Sequence, residues 1–424
     1  METSEVRAMS TSRDNFLATL DHREPDRLVV DFGSTPVTGI HILVVEKLRE
    51  YFGLERKPVK AIEPYQMLGE VEDDLMEALG VDVTGISGPY NMFGHRQERW
   101  KGWRTGWGQE VLVPGDFNTT VDERGDTLMY PQGDTSVAPS ARMPRVAYFF
   151  DAIIRQEPFD EESLDPEANV EEFTLLTEED LDYWKEAAKA ASGKGRGLVA
   201  NFGGTAIGDI ALVPAMNLKH PRGIRDVAEW YMSTLARPDY LHHIFAKQTD
   251  IALKNLEIAK RATGDRVDAV MICGTDFGTQ SSSFCSVETF DALYAPYYRK
   301  INNWIHTHTR WKTFKHSCGS VEPFMQHFID AGFDIINPVQ VNAAGMDPVL
   351  LKEKYGDRLV FWGGGVDTQK VLPFGTPDQV REHVLRACEV FARGGGFVFN
   401  TVHNIQANVP LENILAMLEA IRQF

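Results

Sequence analysis

Short apolar runs that end in Gly, Asn, Asp or His alternate along this chain with longer amphipathic stretches. Strand signals that alternate with helix signals predict a parallel sheet with helical crossovers. The predicted strands are Arg27–Gly33, Val81–Ser87, Leu198–Gly204, Ala269–Asp276, Thr313–Cys318, Phe333–Gln340, Leu359–Gly363 and Phe397–His403. Eight such strands is the count of a closed (β/α)8 barrel, so the expected fold class is α/β, a TIM barrel.

Helices of suitable length separate the later strands. Val321–Ala331 carries Phe324 and Phe328 four apart, and Thr376–Arg393 opens with Thr-Pro and closes at a glycine run, the order expected of a helix. The N-terminal half is less regular. Residues 89–145 hold Trp100, Trp103 and Trp107 among many glycines, then VLVPG and the turn-like DERGD, which predicts antiparallel ribbons. Residues 146–192 read as helical, with Thr177 and Asp180 spaced as a capping box. The expected organisation is one barrel domain over 1–424, with an insertion at about 89–192, after the second strand, that roofs the barrel mouth.

Composition narrows the function classes. A formal net charge of −18, with no Lys/Arg run interleaved with aromatics, argues against a nucleic-acid partner. Met1–Asn15 has no apolar core of signal-peptide length, and no stretch reaches the ~18 uncharged apolar residues of a membrane helix, so a cytoplasmic location is expected. Cys273, Cys285, Cys318 and Cys388 are too few in 424 residues for a disulfide framework.

The strongest local signal is His316-Ser317-Cys318-Gly319 at the end of the fifth strand. Strand side chains at i and i+2 share a face, so the imidazole and the thiolate can grip one ion, and that donor pair suits zinc. A catalytic zinc takes about three protein ligands and an open position. His403, at the end of the eighth strand, falls on the same rim. The alternative for the same residues is a hydrogen-bonded rim histidine beside a small core thiol. Asp276 closes the fourth strand, where a carboxylate can serve as a base or an orienting group, or only cap its own loop. Gln340, Asp367 and Asn404 also lie just past strand ends. Tyr90, Phe93 and Trp107 from the insertion, with Phe202, Phe277 and Trp362 near strand ends, can wall an apolar pocket or simply pack in the core. Gly363–Gly365 and Gly394–Gly396 fit no phosphate-loop spacing and read as turns. His306 and His308 are two apart on a predicted helix, where side chains point away from each other, and receive no ligand role.

The segments TSRDNFLATLDHREPDRLVVDFG, ICGTDFGTQ, FKHSCGSVEPFMQHFIDAGFDIINPVQVNAAGMDP, FWGGGVDTQ and FVFNTVHNIQANVPLENI together resemble the uroporphyrinogen decarboxylase superfamily. The resemblance spans both ends of the chain, is dense from Ala269 onward and implies the same barrel. True decarboxylases of the superfamily carry an Arg-Gln-Ala-Gly-Arg segment near the N-terminus that holds substrate carboxylates; this chain has DFGSTPVTG there, with no arginine pair. It is more similar to the branch of corrinoid-linked, zinc-dependent methyltransferases, where a His-x-Cys pair after the fifth strand and a third residue near the C-terminus hold the metal.

That resemblance implies a zinc bound by His316, Cys318 and His403. Members that methylate coenzyme M have a cysteine at the third position, and the histidine here implies a more Lewis-acidic zinc, suited to a departing alkoxide or phenolate. It further implies a small methylated substrate, an aryl methyl ether first, and a partner protein carrying a Co(I) corrinoid, since the chain has no Asp-x-His-x-x-Gly module of its own. Asp276 would orient or protonate the leaving group. Tyr90, Phe93, Phe202, Phe277, Gln340 and Trp362 would line the substrate site. A homo-oligomer is compatible with the sequence. The rival expectations are a methylcorrinoid:thiol methyltransferase and a metal-free decarboxylase.

Overall fold

The computed structural model describes residues 10–424. Eight strands form one all-parallel sheet in sequential order: β1 Val29–Val30, β2 Val83–Ser87, β3 Gly197–Asn201, β4 Ala269–Cys273, β5 Lys312–His316, β6 Ile335–Asn337, β7 Val360–Trp362 and β8 Phe397–Phe399. β8 pairs back with β1, and the Asp82 N–H donates to the Val30 carbonyl at 2.8 Å, which brings β2 to β1 and closes the ring. The chain is an α/β TIM barrel. Every strand lies within or overlaps its predicted run, because parallel strands covered on both faces are nearly continuous apolar sequence.

Period-two alternation sorts these residues. Val29, Val83, Val199, Ala269, Met271, Phe314, Ile335, Val360, Trp362 and Val398 form the barrel interior, whereas Val30, Leu198, Val270, Ile336, Phe361 and Phe399 pack outward against the helices. The helix Ser12–Leu20 inserts Phe16 and Leu20 into the same interior cluster and plugs the end opposite the strand C-termini. A capping box between Thr11 and Asp14 fixes the start of this helix. Its Phe16 ring meets Trp362 edge-on at 5.6 Å. Gly197 makes room for it, since a Cβ there would lie 2.0 Å from Phe16 Cδ1.

The insertion differs from expectation at both ends. Its sheet begins before β2: Val59–Glu63 pairs antiparallel with Leu68–Gly69 and parallel with Glu110–Val113, which in turn pairs with Lys101–Arg104. A four-stranded antiparallel meander follows, from Thr119–Val121 through Thr127–Met129 and Ala141–Met143 to Asp151–Ala152. Residues 146–177 are not α-helical; Pro158 and Pro166 interrupt them, and only two short 3-10 turns form, at Glu161–Ser163 and Pro166–Asn169. The helix Glu178–Ser192, predicted with its Thr177–Asp180 capping box, belongs to the barrel wall. There Tyr183 donates to the Ser87 carbonyl at 2.9 Å and Trp184 packs on Phe202. No helix among the described residues is long and apolar enough to cross a membrane.

The roof sits over the strand C-termini on the β8–β1 side. Asn404, in the loop after β8, donates to Pro36 O and Gln66 Oε1, both at 2.9 Å, and accepts from the Gly39 N–H at 2.6 Å. His41 donates through Nε2 to the Tyr148 carbonyl at 3.0 Å, tying the roof to the loop after β1.

Candidate metal centre at the barrel mouth

β5 ends at His316. Its parity matches that of Phe314, so the imidazole continues the inward-facing row at the C-terminal rim, and Cys318 lies two residues further on. His403 comes in from the loop after β8, its ring centroid 5.6 Å from that of His316. One donor atom from each of His316, Cys318 and His403 lies within 4.8 Å of the others. Cys318 Sγ is 3.4 Å from His316 Nε2.

Two loop glycines allow this convergence. Gly319 has φ +88°, and a Cβ on it would stand 2.4 Å from the carbonyl carbon of Gly278. The loops after β4 and β5 are therefore in backbone contact, sealed by Ser320 N–H to Thr279 O at 2.8 Å and Phe277 N–H to Ser317 Oγ at 2.9 Å. Asp276 is carried into the cluster on that seam: its Oδ1 accepts from the Cys318 N–H at 2.7 Å and lies 3.8 Å from His316 Nε2.

The protonation states follow from burial. Burial lowers His316 to about 4, and burial with His316 alongside lowers His403 to about 4, so both imidazoles are neutral near pH 7 and offer a lone pair. Burial, then the Asp276 charge, pushes the Cys318 thiol well up, so it stays protonated until a cation compensates its charge. Burial also raises Asp276 above the ordinary carboxylate range. Asp209, in the loop after β3, is pushed up to about 6 by burial, and the nearby Asp276 charge adds to the rise.

This donor set fits zinc. Bonds of about 2.3 Å to sulfur and about 2.0 Å to nitrogen at tetrahedral angles place S and N about 3.5 Å apart, beside the observed 3.4 Å. Two neutral imidazoles and one thiol, buried together, form a three-ligand set that leaves one position open for a substrate atom.

The expected aromatic walls lie elsewhere. Phe93 is buried in the roof between His95 and Phe150. Phe202 is packed with Trp184 and Trp311, and Phe277 with Phe290, Tyr294 and Phe324, outside the barrel. Trp362 is inside the barrel, fully buried against Phe16 and Phe314, with its Nε1 donating to Asp31 Oδ2 at 3.0 Å. These four close their faces against protein, so they are packing residues and not pocket walls. Tyr90 is 53% exposed beside the Arg96 guanidinium. Gln340 holds the rim: its Oε1 accepts from the Gly319 N–H at 2.7 Å and its Nε2 donates to Gln280. His306 pairs with Asp334 and His308 stacks on Trp304, both away from the cluster.

A cavity of about 560 Å3 opens where the roof meets the loop after β8. Tyr65, Tyr148, Phe149 and Phe150 supply its aromatic walls, and Gln66, Asp151, Gln406 and Asn408 its polar groups. Trp107, one of the expected aromatics, stands behind it against Tyr148. The loop after β8 thus contributes His403 to the cluster and Gln406–Asn408 to the cavity. Sequence inspection misses Asp209, which has no periodic signal in its loop, and Asn337, whose place at the end of β6 is a signal it could have used.

The fold is a TIM barrel with the donor cluster of His316, Cys318 and His403 at its C-terminal rim, the end where barrel enzymes keep their active sites. A family model described as Uroporphyrinogen decarboxylase (URO-D) matches residues 156–424. The chain belongs to the uroporphyrinogen decarboxylase family. It is 25% identical over 191 residues to a uroporphyrinogen decarboxylase of Methylococcus capsulatus, the match covering 44% of this chain and 49% of that one. A second relative of the same description, from Psychromonas ingrahamii, is 31% identical over 78 residues, 18% of this chain and 21% of its own. The chain therefore spans about half or less of the length of these curated relatives. Among solved structures, a methyltransferase from Methanosarcina mazei aligns over 98% of this chain and 99% of its own, with a TM-score of 0.53 and 15% identity. That likeness shows the shared fold.

Proposed function

We propose that the protein is a zinc-dependent methyltransferase that takes the methyl group of a small methylated compound, an aryl methyl ether first, and passes it to the Co(I) corrinoid of a partner protein. The observation that carries this reading is the convergence of His316, Cys318 and His403 at the barrel mouth. Zinc held by these three residues supplies Lewis acidity toward the leaving heteroatom. The same donors in a protein that transfers a methyl to a thiol would be expected to include more sulfur; two imidazoles to one thiolate favour an oxygen leaving group.

The rest of the chemistry belongs to the chain. Asp276 is fixed by the Cys318 N–H beside the cluster, where its carboxyl group can orient the leaving group or pass a proton to a departing phenolate. Gln340 and the glycine contact between the two rim loops keep Cys318 and Asp276 in register. The cavity of Tyr65, Tyr148, Phe149 and Phe150 suits the ring of an aryl ether, with amides from Gln66 and Gln406 for its oxygen substituents.

The test is methyl transfer from a panel of methyl ethers, methylamines and methyl thioethers to a reduced corrinoid protein, followed by visible absorbance. Zinc-dependent turnover of an aryl methyl ether, with kcat about 10²-fold or more lower in Asp276→Asn, is the expected result. Zinc-independent turnover, or release of CO2 from a carboxylated substrate without methyl transfer, would overturn the reading.

A further inference from the structure

We infer that Asn337 sets the tautomer of His316 and aims its Nε2 lone pair into the donor cluster, acting as a positioning residue for that ligand. The inference rests on the reading of the cluster as a metal site, which it deepens.

Asn337 is the last residue of β6 and the register partner of His316 across the β5–β6 ladder. It is fully buried. Its side chain makes two contacts of opposite sense. Asn337 Nδ2 donates to the Trp362 carbonyl at 3.0 Å, and Asn337 Oδ1 lies 2.6 Å from His316 Nδ1. A carbonyl oxygen can only accept, so the NH2 end of the amide must face Trp362. The oxygen end then faces His316, and Nδ1 must carry the hydrogen. In a neutral imidazole this leaves Nε2 unprotonated, and Nε2 is the atom 3.4 Å from Cys318 Sγ. Reversing the amide would oppose two acceptors at Trp362, so the tautomer is determined by groups two strands away.

The carbonyl that orients the amide is itself anchored. Trp362 is held by its Nε1 hydrogen bond to Asp31 and by the rings of Phe16 and Phe314 on either side. Asp31 in turn accepts from the N–H and the hydroxyl of Ser34. The frame that orients His316 therefore runs from the loop after β1 across the barrel interior to β6, and none of its members touches the donor atoms except through Asn337. An imidazole whose far nitrogen donates to a neutral amide is a weaker base than one that donates to a carboxylate. Paired with Asn337 rather than with a carboxylate, the imidazole would leave a bound cation more electron-poor, in line with an oxygen leaving group.

Two measurements on the whole protein test this. In metal-free wild type, nitrogen NMR of labelled histidine is expected to show His316 protonated on Nδ1, and in Asn337→Leu to show the Nδ1–H population lost. In a competition titration of zinc against a chromophoric chelator, Asn337→Leu is expected to bind about 10- to 100-fold more weakly than wild type, and Asn337→Asp, which keeps the acceptor toward Nδ1 but loses the donor to Trp362, to lose less affinity than Asn337→Leu. If Asn337→Leu does not fold, the isosteric Asn337→Asp and the wild-type tautomer still decide. His316 protonated on Nε2 in wild type, or equal zinc affinity in wild type and Asn337→Leu, overturns the inference, as does an Asn337→Asp affinity lowered as far as that of a His316→Ala variant. Wild type that binds no zinc but shows Nδ1–H on His316 overturns the metal reading and leaves the tautomer assignment standing.

Discussion

Gly197 and Phe16 offer a double-mutant cycle on the plug at the closed end of the barrel. Phe16 is fully buried among the inward-facing strand residues and against Trp362, so Phe16→Ala removes an entire ring from a packed interior. The expected loss is about 3–5 kcal/mol, transfer free energy plus cavity. Gly197→Ala adds one methyl group where the ring already stands, with Cβ 2.0 Å from Phe16 Cδ1 and 2.6 Å from Cγ. Neither a strand backbone nor a fully packed ring can yield that much space freely, and overpacking of this kind costs about 1–3 kcal/mol or more. If the clash with Phe16 is the whole reason for the glycine, the second cost vanishes once the ring is gone. The double variant should then be about as stable as Phe16→Ala alone, with a coupling energy of about 1–3 kcal/mol. Urea unfolding followed by both circular dichroism and tryptophan fluorescence gives the four stabilities, provided that the two probes coincide. Additivity within about 0.5 kcal/mol would refute the reasoning, because it would mean that the helix Ser12–Leu20 does not occupy the barrel end as described.

Two further outcomes are expected. Asp31 is fully buried and pushed up by burial to about 6, so its folded pKa stands above the unfolded one; its contribution is fully present below about pH 4 and is lost as pH rises through 6. The stability of wild type relative to Asp31→Asn should fall by about 2 kcal/mol between pH 4 and 7, and a difference that stays flat or grows with pH would contradict the assignment. At the cavity, Tyr148→Ala and Phe149→Ala should raise KM for an aryl methyl ether about 10- to 100-fold with kcat within about twofold, as expected for the loss of uniform binding. Unchanged KM in both would exclude the cavity as the seat of the substrate ring.

The barrel was legible because its strands are covered on both faces. Runs such as Ala269–Cys273 and Phe397–Phe399 are apolar throughout and fully buried, so no polar alternation obscures them. The His316–Cys318 pair was legible for a related reason, since period two places both on the face that continues Phe314 into the mouth. His403 followed from counting strands around a closed ring. Aromatic positions were not legible in the same way. Phe202, Phe277 and Trp362 lie at or near strand ends, but whether such a ring turns inward, outward or toward a ligand depends on what each neighbouring element leaves empty. Phe277 turns outward into a cluster of helix aromatics, while Trp362 turns into the barrel and is met by Phe16 from a segment more than three hundred residues away. The roof's origin before β2 was hidden for a similar reason. The parallel pairing of Val59 and Lys60 with Val111 and Leu112 joins segments on opposite sides of a barrel strand, and nothing local to either announces it. Asn337 and Gln340 show the limit at the site itself: Gln340 ends the predicted sixth run and Asn337 the strand within it, and only the register with His316 identifies which of them touches the ligand.

The central claim is that His316, Cys318 and His403 hold one metal ion. Inductively coupled plasma mass spectrometry of the purified protein, beside His316→Ala, Cys318→Ala and His403→Ala, tests it most directly. The account predicts about one zinc per chain in wild type and a sharp loss in each of the three variants. Wild type without zinc after reconstitution, or three variants that retain it in full, would contradict the account.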